Sequence, residues 1–123
     1  MSASSKSLYG PAPLIAASII AGIMVQVFLA GLALFGGPTD WGMHGLFGGV
    51  LSLPILALAA LSLLPAGALF RQPALMLVLL YITQVMLVVL GQDLSLPWLS
   101  ALHPANALVM LLVTVESWRR TAL

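Results

Sequence analysis

Four long apolar runs, almost free of charge between their ends, constrain this chain more than any other feature. The runs cover residues 14–35, 41–64, 73–90 and 103–118 of a 123-residue sequence. Each is close to or above the roughly 20 apolar residues that a helix needs to cross about 30 Å of hydrocarbon. Only 6% of the residues are charged, against about 25% in soluble domains. The sequence therefore predicts an all-α integral membrane protein with a single transmembrane domain over residues 1–123.

Short connections rich in helix-breaking residues separate the runs. Residues 36–40 read Gly-Gly-Pro-Thr-Asp, and residues 91–97 begin with glycine and end with proline. Short connections place successive helices side by side and antiparallel, which predicts an antiparallel four-helix bundle. The first run is longer than the apolar core of a signal peptide and has no clear cleavage site after it, so we interpret it as a retained span.

Two prolines modify this pattern. Pro54 lies inside the second run and is expected to kink that helix, because proline has no N–H for the backbone ladder. Pro104 restricts His103 toward an extended conformation, so the fourth helix is expected to begin at Pro104 with His103 at its edge.

The distribution of charge predicts the orientation of the chain. All the cations fall at the end that holds both termini and the second connection, namely Lys6, Arg71, Arg119 and Arg120, whereas Asp40 and Asp93 lie in the other connections. By the positive-inside rule, both termini of this multi-pass protein are expected in the cytoplasm. A net charge of only +1 gives no reason to expect a nucleic-acid partner.

The two halves of the sequence resemble each other. Gln26-Val-Phe-Leu parallels Gln84-Val-Met-Leu, and each segment is followed by a turn, a tryptophan and a histidine, His44 or His103. The glutamine and histidine are separated by 18 residues in the first half and by 19 in the second. This pattern predicts an internal two-helix repeat, with both histidines near the outer face on diagonal helices whose side chains meet across the core. Chance similarity between two apolar segments is the alternative.

A family resemblance rests on short motifs spread over nearly the whole chain. These are Gln26, Gly31, His44-x-x-x-Gly48, Pro54-x-Leu-Ala-Leu, Gln84-Val, Gly91, Leu96-Pro97 and Leu102-His103-x-x-Asn106-Ala-Leu. Their spacing resembles a family of small bacterial four-span membrane proteins described as a domain of unknown function. The resemblance implies a four-helix fold in the bacterial inner (plasma) membrane and no established activity. The layout of the histidines also resembles one half of heme A synthase.

The two histidines are the strongest candidates for a cofactor site. A heme bound by two histidines needs imidazoles on facing helices at similar depth, and a flat slot for the macrocycle. Gly45 and Gly48 follow His44 and would leave such a slot open beside it. The sequence thus predicts heme b with His44 and His103 as axial ligands of the iron. In the alternative, the small residues serve only close helix packing and the histidines bond to a loop or a lipid headgroup.

Three amides are candidates for supporting this site. Gln26 and Gln84 lie about 13 Å below the ends of their helices, at 1.5 Å per residue, where each amide must find a partner. They are expected to bond a heme propionate, a quinone carbonyl or a ligating histidine, or simply a neighbouring helix. Asn106, three residues after His103, would fix that imidazole's tautomer or bridge to another helix.

Several kinds of chemistry have no residues to carry them. The sequence contains no cysteine, no Ser-His-Asp set, no carboxylate pair and no charged residue in the middle of a run. We therefore expect no catalytic residues and no ion-coupled transport. The sequence favours a b-type heme protein of the lipid bilayer that transfers electrons for quinone or for a larger redox membrane complex. The alternative is a non-catalytic accessory subunit without a cofactor, packed through glycines such as Gly22, Gly31, Gly48 and Gly49.

Overall fold

The computed structural model describes residues 9–36 and 41–122, and these residues form helices with no strand. The elements are α1 (Ala12–Leu34), α2 (Trp41–Val50), α3 (Ser52–Leu63), a 3-10 turn (Pro65–Phe70), α4 (Arg71–Asp93) and α5 (Pro97–Ala122). Four stretches, the first to fourth spans, are long and apolar enough to cross a membrane: Ala12–Leu34, Trp41–Leu63, Pro65–Asp93 and Pro97–Ala122. The chain is thus a multi-pass membrane protein, and the predicted all-α four-helix fold is confirmed.

The first connection begins where α1 ends at a glycine. Gly36 has φ +75°, a left-handed conformation that only glycine adopts without strain, and the Phe35 N–H donates to the Gly31 carbonyl at 2.9 Å. Together these features turn the chain out of the helix. The rest of this connection, which includes Asp40, lies outside the described residues, as does Lys6.

The prolines of the second and fourth spans have different effects. The second span is interrupted at Leu51, one turn before Pro54. Proline has no N–H, so Pro54 donates no backbone hydrogen bond to the Val50 carbonyl. In contrast, α5 begins at Pro97 and continues through Pro104. Pro97 lies in the first turn, where a proline costs no hydrogen bond. Pro104 removes one backbone hydrogen bond, and extensive packing of α5 against α4 compensates for this loss. His103 therefore lies inside a helix, not at its edge as the sequence suggested.

The four spans form a ring in which each packs against the spans before and after it, and the fourth packs against the first. Diagonal spans have no Cα atoms within 8 Å of each other in the described residues. The second and fourth spans, which carry the histidines, form one such diagonal. Any contact between them must therefore be made by side chains across the bundle axis.

The interior differs between the two ends of the bundle. In the half that holds residues 12 and 122, the terminal half, a continuous apolar core includes Ile19, Ile55, Leu58, Phe70 and Leu77. The other half is called the histidine half. There α2 has no buried residue, and the buried residues of the other helices are Leu29 on α1 and Gly91 on α4. The buried core of the bundle therefore lies in the terminal half, while the histidine half buries few side chains.

A tight turn closes the terminal half between the second and third spans. The Arg71 Nε donates to the Ser62 carbonyl at 2.9 Å, and the Arg120 Nη1 donates to the Leu69 carbonyl at 3.1 Å. Gly67 is buried against the backbone of Leu61 and Ser62, where a methyl group would meet the Leu61 carbonyl oxygen. The two arginines and the glycine together hold this connection against the end of the core.

We expect Gly67→Ala to lower the free energy of unfolding by about 1–3 kcal/mol, because the added methyl group has to displace backbone atoms. Gly49→Ala is the matched control, since a methyl group at Gly49 meets nothing within 4 Å. Alanine is also the better helix former, so this control should be neutral or slightly stabilising. Thermal unfolding in detergent micelles, followed by circular dichroism, measures both. Equal effects of the two substitutions would contradict the tight packing of the turn.

Candidate functional site

His44 and His103 meet across the axis of the histidine half. His44 lies in the first turn of α2, and His103 lies in the second turn of α5. Their ring centroids are 6.0 Å apart with an angle of 59° between the ring planes. Both side chains are half-buried. The two helices are diagonal in the ring, so this side-chain contact bridges the bundle as the sequence predicts.

Each imidazole is held by a main-chain carbonyl of the preceding span. The His44 Nδ1 lies 3.1 Å from the Gln26 carbonyl oxygen, and the His103 Nδ1 lies 3.0 Å from the Gln84 carbonyl oxygen. A carbonyl oxygen can only accept, so Nδ1 carries the proton in both rings. In a neutral imidazole this leaves the lone pair on Nε2, which is the nitrogen then free to bind a metal ion.

These two contacts give the sequence repeat a structural counterpart. In each half, a glutamine on one span and a histidine on the next are joined through the same pair of atoms. The acceptor is the main-chain carbonyl of the glutamine, however, and not the side-chain amide for which the sequence predicts such a role. A main-chain acceptor leaves both amides available for other partners.

In the second half of the repeat, Asn106 makes two hydrogen bonds to the preceding span. The Asn106 Nδ2 donates to the Leu80 carbonyl at 2.9 Å and to the Gln84 Oε1 at 2.6 Å. Asn106 therefore bridges α5 to α4, the second of the two roles that the sequence allows. It does not set the tautomer of His103, because the Gln84 carbonyl already does so.

The first half lacks an equivalent of this bridge. The Gln26 Oε1 is buried and has no hydrogen-bond partner among the described residues. The Gln26 amide lies directly over Gly48, where any side chain would collide with it. The space beside Gly48 is thus filled by Gln26, whereas a methyl group at Gly45 would meet nothing within 4 Å. The one unsatisfied buried side-chain atom in the described part of the chain lies at this site.

Two further side chains belong to the site: the sequence repeat includes Trp41, whereas Tyr81 was not singled out by sequence. Trp41 packs edge-on against His44, with ring centroids 5.5 Å apart and an interplanar angle of 83°. The Tyr81 hydroxyl donates to the Gly48 carbonyl at 2.9 Å and so joins α4 to α2. Helical spacing would have identified both residues, since each lies three residues before a site residue, His44 or Gln84.

This arrangement limits what the site can bind. In residues 9–36 and 41–122, no group of three or more histidine or carboxylate side chains is close enough to hold a metal ion. Any metal bound here would take two protein ligands, His44 and His103, and complete its coordination with other atoms. A metal ion between two imidazoles places their ring centroids roughly 6 Å apart, since each metal–nitrogen bond is about 2.0 Å and the ring adds about 1.1 Å.

The comparisons with known proteins identify a family but no activity. A model of a family of unknown function (DUF6220) matches residues 26–91, which include His44, Gln26 and Gln84. No curated protein and no solved structure matches the chain. The comparisons therefore do not show the resemblance to heme A synthase, which still rests on the layout of the histidines.

The unequal environments of the two glutamines predict opposite effects of the same substitution. Gln26→Met removes an unsatisfied buried acceptor, so we expect it to raise the free energy of unfolding by about 1 kcal/mol. Gln84→Met takes an acceptor away from Asn106, so we expect a decrease of about 1–2 kcal/mol. Thermal unfolding of the two variants in the same detergent measures the difference. The same sign for both would show that the two halves are equivalent.

Proposed function

The chain belongs to this family of unknown function, and we propose that it is a small membrane electron-transfer protein that binds one heme b. His44 and His103 would hold the heme iron. The observation that carries the proposal is their pairing across the bundle, with ring centroids 6.0 Å apart. This separation matches the roughly 6 Å expected of two imidazoles on one metal ion.

The state of the two rings supports ligation. Histidines that bind metals commonly donate their other ring N–H to a carbonyl or carboxylate, which fixes the tautomer and the ring orientation. The Gln26 and Gln84 carbonyls accept in this way from His44 and His103. Each ligand is therefore held in the tautomer that leaves Nε2 for iron.

The packing of the histidine half also suits a flat cofactor. This half buries few of its own side chains, and a macrocycle between the rings would supply the missing apolar contacts. Gln26 fills the space beside Gly48, so Gly45, where an added methyl group meets nothing within 4 Å, is the glycine that would leave room for a macrocycle. The unsatisfied Gln26 Oε1 would accept a hydrogen bond from a bound group or from a water molecule held with it.

The chemistry follows from the ligand set. Heme with two histidine ligands supplies one-electron transfer and leaves no position for oxygen. The Gln26 and Gln84 carbonyls would hold the two ligands in place. We propose a lipid-soluble quinol or a larger redox membrane complex as the partner, because neither needs to leave the bilayer to reach the site.

An accessory role without a cofactor is the second candidate. Of the glycines considered for such packing, Gly22 is covered by Leu51 and Gly48 by Gln26. Gly31 and Gly49 remain open, with nothing within 4 Å of an added methyl group. Open glycines on membrane helices permit close approach of another helix, and this observation favours the accessory role.

Purified protein from heme-replete cells should show a Soret band and sharp α and β bands on reduction. His44→Ala or His103→Ala should convert a six-coordinate spectrum to a five-coordinate one, because each removes one axial ligand. In His44→Gly, added imidazole should restore the original spectrum, which controls for misfolding. Colourless wild-type protein would contradict heme binding. The accessory role instead predicts colourless protein that co-purifies with specific partners and is indifferent to His44→Ala.

We also propose that the protein lies in the bacterial inner membrane with its terminal half toward the cytoplasm, because Arg71, Arg119 and Arg120 lie at that end. The chain has no cysteine, so single cysteines report the orientation directly. Ser95→Cys should react with a membrane-impermeant maleimide in intact spheroplasts, and Ala122→Cys should react only after permeabilisation. The reverse labelling pattern would overturn this orientation.

A further inference from the structure

A groove in the terminal half lies between α4 and α5, away from the histidines. It encloses about 150 Å³ and is lined by Gln72, Pro73, Met76, Val113, Glu116 and Arg120. We refer to it as the α4–α5 groove. Both helices contribute apolar and polar lining residues: Pro73, Met76 and Gln72 come from α4, and Val113, Glu116 and Arg120 come from α5.

Three charged side chains at the mouth of the α4–α5 groove together carry a net positive charge: Glu116 and Arg120 line the groove, and Arg119 lies beside it. Glu116 is paired with two arginines, Arg120 at 2.7 Å and Arg119 at 3.5 Å. One carboxylate thus faces two guanidinium groups. Arg120 is also fixed by donating from Nη1 to the Leu69 carbonyl at 3.1 Å. The Arg119 side chain is 64% exposed and keeps most of its donors for another partner.

The depth of the α4–α5 groove matches that of lipid headgroups. Arg119 and Arg120 lie in the last turn of the fourth membrane-compatible span, next to the exposed Trp118. Tryptophan and arginine are typical of the membrane–water interface. Met76 and Val113 lie one to two turns deeper, where acyl chains begin. The groove therefore has a basic mouth at headgroup level above an apolar body.

We propose that the α4–α5 groove binds the phosphodiester of an anionic phospholipid, with one acyl chain against Met76 and Val113. Arg119, Arg120 and the Gln72 amide donate to the phosphate oxygens, since guanidinium groups match phosphate geometry. Glu116 orients both arginines, and the three side chains together carry one net positive charge. This charge suits a singly charged phosphodiester better than a doubly charged phosphate monoester. The site goes beyond the proposed electron transfer and does not depend on heme.

The test compares lipids and variants by native mass spectrometry of the full-length protein, with phosphatidylglycerol and phosphatidylcholine as probes. We expect one phosphatidylglycerol per protein and weaker retention of phosphatidylcholine. Arg120→Gln should weaken phosphatidylglycerol binding by about tenfold, the effect of one charge-assisted contact. Arg71→Gln is the matched control, because it removes the same charge at the same end of the bundle but outside the groove.

A second variant tests the contribution of the apolar part of the groove separately from that of the charged side chains. Met76→Trp fills the apolar body without changing any charge, and it should also weaken phosphatidylglycerol binding; it keeps the test valid should Arg120→Gln fail to fold. Equal retention of the two lipids, or equal loss in Arg71→Gln and Arg120→Gln, would overturn the proposal in favour of diffuse surface charge. If inorganic phosphate stabilised the protein against heat as much as phosphatidylglycerol does, the groove would be a site for free anions, and the proposal of a bound phospholipid would be overturned.

Discussion

Two hydrogen bonds from histidine Nδ1 to main-chain carbonyls hold the histidine half together. A bilayer interior offers no water to an imidazole N–H, so each ring has to find its acceptor within the protein. The Gln26 and Gln84 carbonyls provide it, and each bond ties a span to the one before it. Asn106 and Tyr81 add further links between spans. Polar contacts thus do in this half what apolar packing does in the other.

The division between the two halves assigns them different mechanical roles. The terminal half combines a continuous core with a closed turn, so it sets the positions of the four spans. The histidine half holds few buried side chains, and Pro104 removes one backbone hydrogen bond from α5 within it. Regions with few buried contacts open at low free-energy cost. The core that fixes the fold therefore lies away from the two histidines.

The fold was largely predictable, and the site only in part. Apolar runs of sufficient length specify four spans, and short connections specify their antiparallel order. The repeat of Gln26 and His44 in Gln84 and His103 correctly paired the histidines across the bundle. Sequence could not identify the main-chain acceptors, since every residue carries the same carbonyl. It also placed the start of the fourth helix too late, because a local proline preference was outweighed by packing between α4 and α5.

The main-chain nature of these acceptors has a consequence for how the site tolerates change. A carbonyl oxygen has two lone pairs, so the Gln26 and Gln84 carbonyls can accept from a histidine while still serving their own helices. The tautomer of each ring is therefore set by the path of the backbone and is indifferent to which side chain stands at position 26 or 84. A substitution at position 26 or 84 can therefore change the surroundings of the imidazoles without changing their tautomer, provided that the helices keep their register.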